Sequence, residues 1–573
     1  MSMELTDSRR LTGANLFWDH PSAIIDVSIE GGAEEVIEVW QDAASRWLDA
    51  VGYPEQQTCH RVFDGGASLL ISAPIDALYS MCELNEVAWA SALHAFGLGP
   101  APDPQQQVPR LTRLFDEERN PRLLALQEEA ARRGLPLLWD DDEVSVGYGQ
   151  SAQIWPAGAL PRVEEVDWSR PKTIPVALVT GTNGKSTTVR MTAAIMNAAG
   201  RRAGLTSTDF IRVGDRLIDR GDYSGPGGAR TLLRQPDVEM AVLEVARGGL
   251  LRRGLGVAGA DVAVVTNVAE DHLGDYGIHS VDELIEAKFI VSKALKPAGT
   301  LVLNADDAGV AAYGEELECR VCWFSLHAND PRVAAARAAG QTACYLEDDW
   351  LTASLAGTPC RIAPVGSVSA ARGGTVRYNL ANALAATSIA LSLGLGHEAI
   401  REGLETFRGD ERDNPGRGNW FEREMGGGRV RILLDFAHNE HGMRALADAV
   451  ARVEAGRVVL LLGQAGDRMD REIAGLVRAA LETKPECLLV AELPGYERGR
   501  ESFEVPRLIR EYALACGMPA SRIEIFPDPL AATEHALSRA RPGDLLVLLA
   551  LTQRQEALAR IHSFIDGTGK ENG

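Results

Sequence analysis

The chain has 573 residues, 45% hydrophobic and 24% charged, with 57 Gly and 27 Pro, a balance that excludes fibrous, low-complexity and disordered classes. At about 100–200 residues per domain this length implies three or four domains. The net charge of −22, from 58 Lys+Arg against 80 Asp+Glu, is a poor footprint for nucleic acid, which is excluded as a partner.

The first residues carry acids and no apolar leader, and apolar runs such as 545–551 fall far short of the about 20 residues that span a bilayer. No membrane partner is expected, and the protein is read as cytoplasmic. Eight cysteines are too sparse for a disulfide scaffold, which suits a reducing compartment.

In chain order, 66–74 and 144–149 read as strands and 87–96 and 117–133 as helices, giving an α+β N-terminal domain over 1–160. A Pro- and Gly-bearing stretch at 155–161 and the charged run after it mark its end. From 173, short apolar runs at 174–180, 240–243, 262–266 and 299–303 alternate with helical stretches at 187–199, 281–294 and 379–393. That alternation predicts βαβ units and a parallel sheet covered on both faces, a central P-loop domain over 173–410. Strands at 431–436, 458–462, 487–491 and 544–549 then predict a smaller C-terminal nucleotide-fold-like α/β domain over 411–573. The fold class is α/β.

The run GTNGKSTT at 181–188 lies between a predicted strand and a predicted helix. Glycines there let backbone N–H groups approach phosphates, and the helix N-terminus favours anions. Gly181, Thr182, Asn183, Gly184, Lys185, Ser186 and Thr187 form the candidate nucleotide loop, with Lys185 reaching the β- and γ-phosphates and Ser186 placed to ligate Mg²⁺. The loop departs from the common GxxxxGK[ST] pattern, because position 179 is Val. Glu244 and Asp271-His272 end two further predicted strands, and in an open parallel sheet ligands bind beyond those carboxyl ends. A carboxylate and an imidazole beside a triphosphate make a Mg²⁺ shell, so Ser186, Glu244 and His272 are the candidate metal ligands.

Other motifs read more simply as structure. Cys59-His60 reads as packing, the Cys319–Cys322 pair as part of a buried strand, and the acidic runs at 140–143 and 347–349 as solvated turns.

Five further motifs follow in order: 267–271, Asn304-Ala-Asp-Asp307, Asn414-Pro-Gly-Arg417, Leu434-Asp-Phe-Ala-His438 and 463–468. With the nucleotide loop they resemble the Mur ligase superfamily from 173 onward. Glu244-Val-Ala-Arg-Gly-Gly249, the run LLRRG at 250–254, RLTGANL at 10–16 and GYGQ at 147–150 resemble the cyanophycin synthetase branch. Members of that branch carry an ATP-grasp domain between the N-terminal domain and the Mur-like half. Here fewer than 20 residues separate 155 from 173, so one ligase site is expected rather than two.

The resemblance implies ATP and Mg²⁺ as cofactors and ATP-dependent amide formation between a carboxylate and an amino-acid amine. It implies that Glu244 and His272 hold a second Mg²⁺, that Asn304 contacts the adenine, and that Arg417 and Asp435, with His438 nearby, close over the nucleotide. It places Lys288 where several Mur ligases carry a carbamylated lysine, so Lys185, His272 and Lys288 are the catalytic candidates.

The implied partners are an acidic peptide or amino-acid substrate, an amine-bearing amino acid, and a separate enzyme supplying the acceptor; homo-oligomer formation is left open. Arg498 and Arg500 are candidates to grip a substrate carboxylate. A P-loop ATPase or phosphotransferase, and a non-catalytic partner subunit of a polymer-forming ligase, are the competing classes.

Overall fold

A computed structural model describes residues 2–567 and contains four sheets. The first is antiparallel, in the order Met3–Leu11, Ser22–Ile29, Gly66–Ser72, Thr58–Phe63, with helices Ala33–Val51 and Leu78–Ala95 packed on it. Buried Trp40 donates its indole N–H to Asn85 Oδ1 at 2.9 Å, and Asn85 donates to the Leu69 carbonyl at 3.0 Å, so these two polar side chains are paired inside the core. A three-stranded sheet follows over Leu137–Trp139, Glu143–Val146 and Gln153–Pro156.

Two expectations are corrected here. The helix expected at 117–133 is two helices, Pro104–Glu118 and Pro121–Arg132. Asn120 caps the second by accepting from the Leu123 N–H at 3.2 Å, and Pro121 begins it, a stop-and-start signal present in the sequence. The acidic run at 140–143 is not merely solvated: Asp140 accepts from Arg234 at 2.5 Å and Glu143 lies 3.4 Å from the same buried guanidinium.

The central sheet has eleven strands, and its middle seven are parallel: Ala203–Thr206, Met240–Glu244, Val176–Thr180, Ala260–Val265, Leu295–Asn304, Val321–Ser325 and Ala343–Glu347. The expected parallel sheet is extended by antiparallel strands, Phe210–Val213 and Arg216–Arg220 at one edge and Trp350–Leu355 and Thr358–Pro364 at the other. Its inner strands are buried on both faces, which is why they read as unbroken apolar runs. One face is covered by helices Lys185–Ala198 and Arg377–Ser392, the other by Pro226–Leu233 and Val281–Phe289.

The C-terminal sheet runs in the order Asn419–Met425, Gly428–Asp435, Asp544–Leu549, Arg457–Leu462, Cys487–Ala491, Ile523–Phe526, with only the first strand antiparallel. Cys322 is buried in strand Val321–Ser325, but Cys319 precedes the strand and is exposed, so the buried-strand reading of that pair holds for Cys322 alone. No helix among the described residues is long and apolar enough to cross a membrane.

Helix His397–Thr406 packs so closely on helix Lys185–Ala198 that a Cβ at Gly403 would stand 2.5 Å from Ile195 Cα. Gly403→Ala is expected to lower stability by about 1–3 kcal/mol through overpacking, read as a fall in the denaturation midpoint. An unchanged midpoint would show that the two helices separate freely.

Candidate active site

Strand Val176–Thr180 delivers the chain into residues 181–184, and helix Lys185–Ala198 starts immediately after, with Gly184 in the left-handed region at φ 85°. The loop is held from beneath by the end of the neighbouring strand. Thr182 N–H donates to the Asn267 carbonyl at 2.8 Å, and Asn183 N–H donates to Asn267 Oδ1 at 2.8 Å. Thr266 Oγ1 and Asn267 Nδ2 donate to the Asn183 carbonyl at 2.7 and 3.0 Å. Lys185 folds its ammonium back over the loop, donating to the carbonyls of Gly181 and Thr182 at 3.0 Å each.

This loop opens onto a cavity of about 1660 Å³ between the central and C-terminal sheets. The nucleotide, metal and catalytic candidates selected from the sequence all line it: the whole loop from Gly181 to Thr187, with Glu244, His272, Lys288, Asn304, Arg417, Asp435 and His438. Asp209 and Arg554 line it too and were not anticipated, since isolated charges carry no motif, and so does Arg247, which lies within the run 244–249 but was given no role.

Asp209 is the hub of the wall. It pairs with Arg190 of the loop helix, with Arg417 at 3.1 Å and with Arg554 at 2.6 Å. Burial works against its charge, but the guanidiniums of Arg417, Arg190 and Arg554 outweigh burial and hold its carboxyl well below the usual range. Arg417 also donates to Thr208 Oγ1 at 2.7 Å, and Thr208 Oγ1 lies 3.4 Å from Ser186 Oγ. Across the same cleft Asn183 donates to Asn439 Oδ1 at 3.1 Å.

The metal candidates divide. Glu244 is buried; its Oε2 accepts from the Thr208 N–H at 3.3 Å, while its Oε1 is buried with no hydrogen-bond partner. An orphaned carboxylate oxygen beside a serine hydroxyl and a phosphate loop fits a divalent cation. His272 is differently engaged, because its Nε2 stands 2.7 Å from an Arg468 N–H, and a guanidinium only donates, so the nitrogen accepts and the ring is neutral. Burial, with the charges of Arg468 and Arg247, lowers its pKa to about 4 against the pull of Asp271. Arg468 also pairs with Asp271 at 3.0 Å, and His438 Nε2 lies 3.9 Å from the same carboxylate. Among the described residues no three His, Cys, Asp or Glu side chains gather as a metal-binding group.

Lys288 is 3% exposed and forms no hydrogen bond or ion pair among the described residues. Burial, aided by the neighbouring charge of Lys185, pushes its pKa well below the ordinary lysine value. Asn304 is committed to the protein, donating to the Thr266 carbonyl at 2.8 Å and accepting from the Asp306 N–H at 3.0 Å. Arg498 lines the cavity and pairs with Asp467. Arg500 does not line it: its guanidinium is consumed by the carbonyls of Gly466 and Arg468 and the carboxylates of Asp470 and Glu504, which removes it as a substrate anchor.

Comparison with known proteins follows the same division. Residues 179–390 match the Mur ligase middle domain and 416–550 the Mur ligase glutamate ligase domain, which together span more than half of the chain. The chain belongs to the Mur ligase superfamily. Among relatives of this superfamily, the cyanophycin synthetase of Synechocystis sp. is 34% identical over 71% of this chain and 46% of its own length. That of Nostoc sp. is 36% identical over 66% and 41%. The chain thus spans less than half the length of the cyanophycin synthetases it matches.

A UDP-N-acetylmuramoyl-L-alanyl-D-glutamate–2,6-diaminopimelate ligase from Geobacter metallireducens is 29% identical over 65% of this chain and 73% of its own. Among solved structures, the bifunctional folylpolyglutamate synthase/dihydrofolate synthase of Yersinia pestis, complexed with AMPPNP and a Mn ion, shares the fold. That likeness has a TM-score of 0.50 at 21% identity and covers 68% of this chain and 89% of that one.

The Asp435 carboxylate, at the end of strand Gly428–Asp435, accepts from the Ala437 N–H at 2.8 Å, yet burial outweighs its backbone donors and raises its pKa to about 6. A carboxyl raised on folding contributes stability that is present below pH about 4 and is lost as pH climbs through about 6. Asp435→Asn is therefore expected to gain in thermal midpoint relative to wild type between pH 4 and 7. A difference that does not change with pH would contradict this.

Proposed function

We propose that the chain is an ATP-dependent ligase that forms an amide bond between a carboxylate and an amino-acid amine. The observation that carries this reading is the single cavity in which a phosphate loop, an unpartnered buried carboxylate oxygen on Glu244 and a buried lysine without a counter-ion meet residues of a second domain. A carboxylate alone is a poor electrophile, so it must first be activated. Its oxygen attacks the γ-phosphorus of ATP, the bond to the β-phosphate oxygen breaks, and an acyl phosphate and ADP result. The amine then attacks the acyl carbon, phosphate leaves, and the nitrogen loses a proton.

In this reading Lys185 and the N–H groups of residues 184–187 bind the phosphates, those of Thr182 and Asn183 being held by Asn267, and Arg417 approaches them from the C-terminal domain. Mg²⁺, held by Ser186 and Glu244, supplies neutralisation of phosphate charge when bound. His272 joins that shell only by exchanging its Arg468 partner. Burial lowers the pKa of Lys288, which favours the neutral amine that reaction with CO₂ requires; the carbamate formed, with release of a proton, would be an anion on the wall of the same cavity.

The likeness to cyanophycin synthetases favours an acidic peptide or amino acid as the carboxylate, amidated through a backbone or side-chain carboxyl. The chain passes from strand Gln153–Pro156 to strand Val176–Thr180 through short turns, which supports one ligase site and a separate enzyme as source of the acceptor.

The test is mass spectrometry after incubation with Mg²⁺, ATP and paired pools of acidic peptides and amino acids, comparing wild type, Lys185→Ala and Lys288→Ala. A new amide mass with matching ADP, lost by roughly a hundredfold or more in both variants, is expected. ADP without amide would favour an ATPase or phosphotransferase, and neither product would favour a non-catalytic subunit.

A further inference from the structure

The N-terminal sheet does not line the cavity, yet it touches the two segments that build one of its walls. These are helix Arg247–Arg253 and the strap 271–278, which carries His272 and Tyr276. Arg247 joins them, donating to the His272 carbonyl at 2.7 Å and to Asp275 at 2.8 Å. The strap holds two non-glycine residues in the left-handed region, His272 at φ 54° and Tyr276 at φ 55°. Such a shape persists only where surrounding contacts over-determine it.

At His272 they come from Arg247 and Arg468; from Tyr276 onward they come from the N-terminal sheet. Arg9, buried and paired with Asp26 at 2.5 Å, donates through Nε to the Leu251 carbonyl at 3.2 Å and sets its guanidinium 4.9 Å from the Tyr276 ring. Thr12 N–H donates to the Arg253 carbonyl and Leu255 N–H to the Ala14 carbonyl, both at 2.7 Å. On strand Thr58–Phe63, Arg61 donates to the Gly277 carbonyl at 2.9 Å and pairs with Glu283 at 2.7 Å. Two residues along the same face, the Phe63 ring lies against Gly277 and stacks 5.7 Å from His279.

We propose that the N-terminal sheet is a positioning element for the active site, in which Arg9 and Arg61 hold the strap 271–278 in the conformation that presents His272 to the cavity. They are positioning residues, since neither lines the cavity. The strap packs on the central-sheet core through Leu273, Tyr276 and Ile278, and Arg61 fixes it from outside: its two arms, on the Gly277 carbonyl and on Glu283, grip both ends of the segment 277–283 with one planar fork.

Arg9 is too buried to replace safely, so the test uses Arg61, whose side chain is 17% exposed. Hydrogen–deuterium exchange is measured on the full chain as wild type, Arg61→Ala and Arg61→Lys. Arg61→Ala is expected to raise exchange of the amides at 272–279 by about tenfold or more, with strands Ser22–Ile29 and Gly66–Ser72 unchanged and Arg61→Lys intermediate. Unchanged exchange in the strap, or a rise shared equally by those strands, would overturn the proposal.

A second arm rests on the ligase reading and uses whichever acid and amine the pooled assay identifies. There, kcat falls several-fold in Arg61→Ala while KM for ATP stays within about twofold, because the phosphate loop is untouched. An unchanged kcat would also overturn the proposal. Should the pooled assay find no amide, the ligase reading fails and the exchange measurement still decides this one.

Discussion

One carboxylate fixes how the two halves of the cavity face each other. Asp209 follows the strand Ala203–Thr206 on the central sheet and gathers three guanidiniums from distant parts of the chain. Arg190 belongs to the helix that starts at the phosphate loop, Arg417 to the segment entering the C-terminal sheet, and Arg554 to the last helix, Arg554–Ile565. One anion shared among three cations in a mostly buried site has few alternative geometries, so the C-terminal domain is registered against the loop helix through this point. Arg417 thereby reaches Thr208, next to Ser186 and to the Glu244 carboxylate.

A second bridge closes the opposite side of the cleft. Arg468 reaches from the C-terminal domain to Asp271 and to His272, and His438 lies alongside. The same histidine is therefore fixed at its ring by the C-terminal domain and at its carbonyl by Arg247, while the strap behind it rests on the N-terminal sheet. All three parts of the chain meet along the strap 271–278.

What the sequence made legible follows from how local each signal is. The phosphate loop could be read because its glycines, lysine and serine act within eight residues, between a buried apolar strand and a helix start. Glu244 and His272 could be read because each ends an apolar strand or follows it closely. Asp209, Arg190 and Arg554 could not, since an isolated charge acquires its meaning only from partners elsewhere in the chain, and Arg468, though it closes the motif at 463–468, gave no sign of its partners Asp271 and His272.

The edge strands of the central sheet were hidden for a different reason. Strand Arg216–Arg220 is largely exposed and lacks an apolar run, and the acidic run ending at Asp348 and Asp349 reads as a solvated turn, which it is, without the two strands that it joins. The break at Asn120-Pro121 was visible in the residues themselves, and an unbroken helix there overlooked a capping signal.

The central claim is that Asp209 couples the C-terminal domain to the phosphate-loop helix. Small-angle scattering of wild type and Asp209→Asn, each with and without AMPPNP and Mg²⁺, tests it most directly. The account predicts a larger radius of gyration for Asp209→Asn than for wild type in the absence of nucleotide. Identical scattering curves for the two proteins would contradict it.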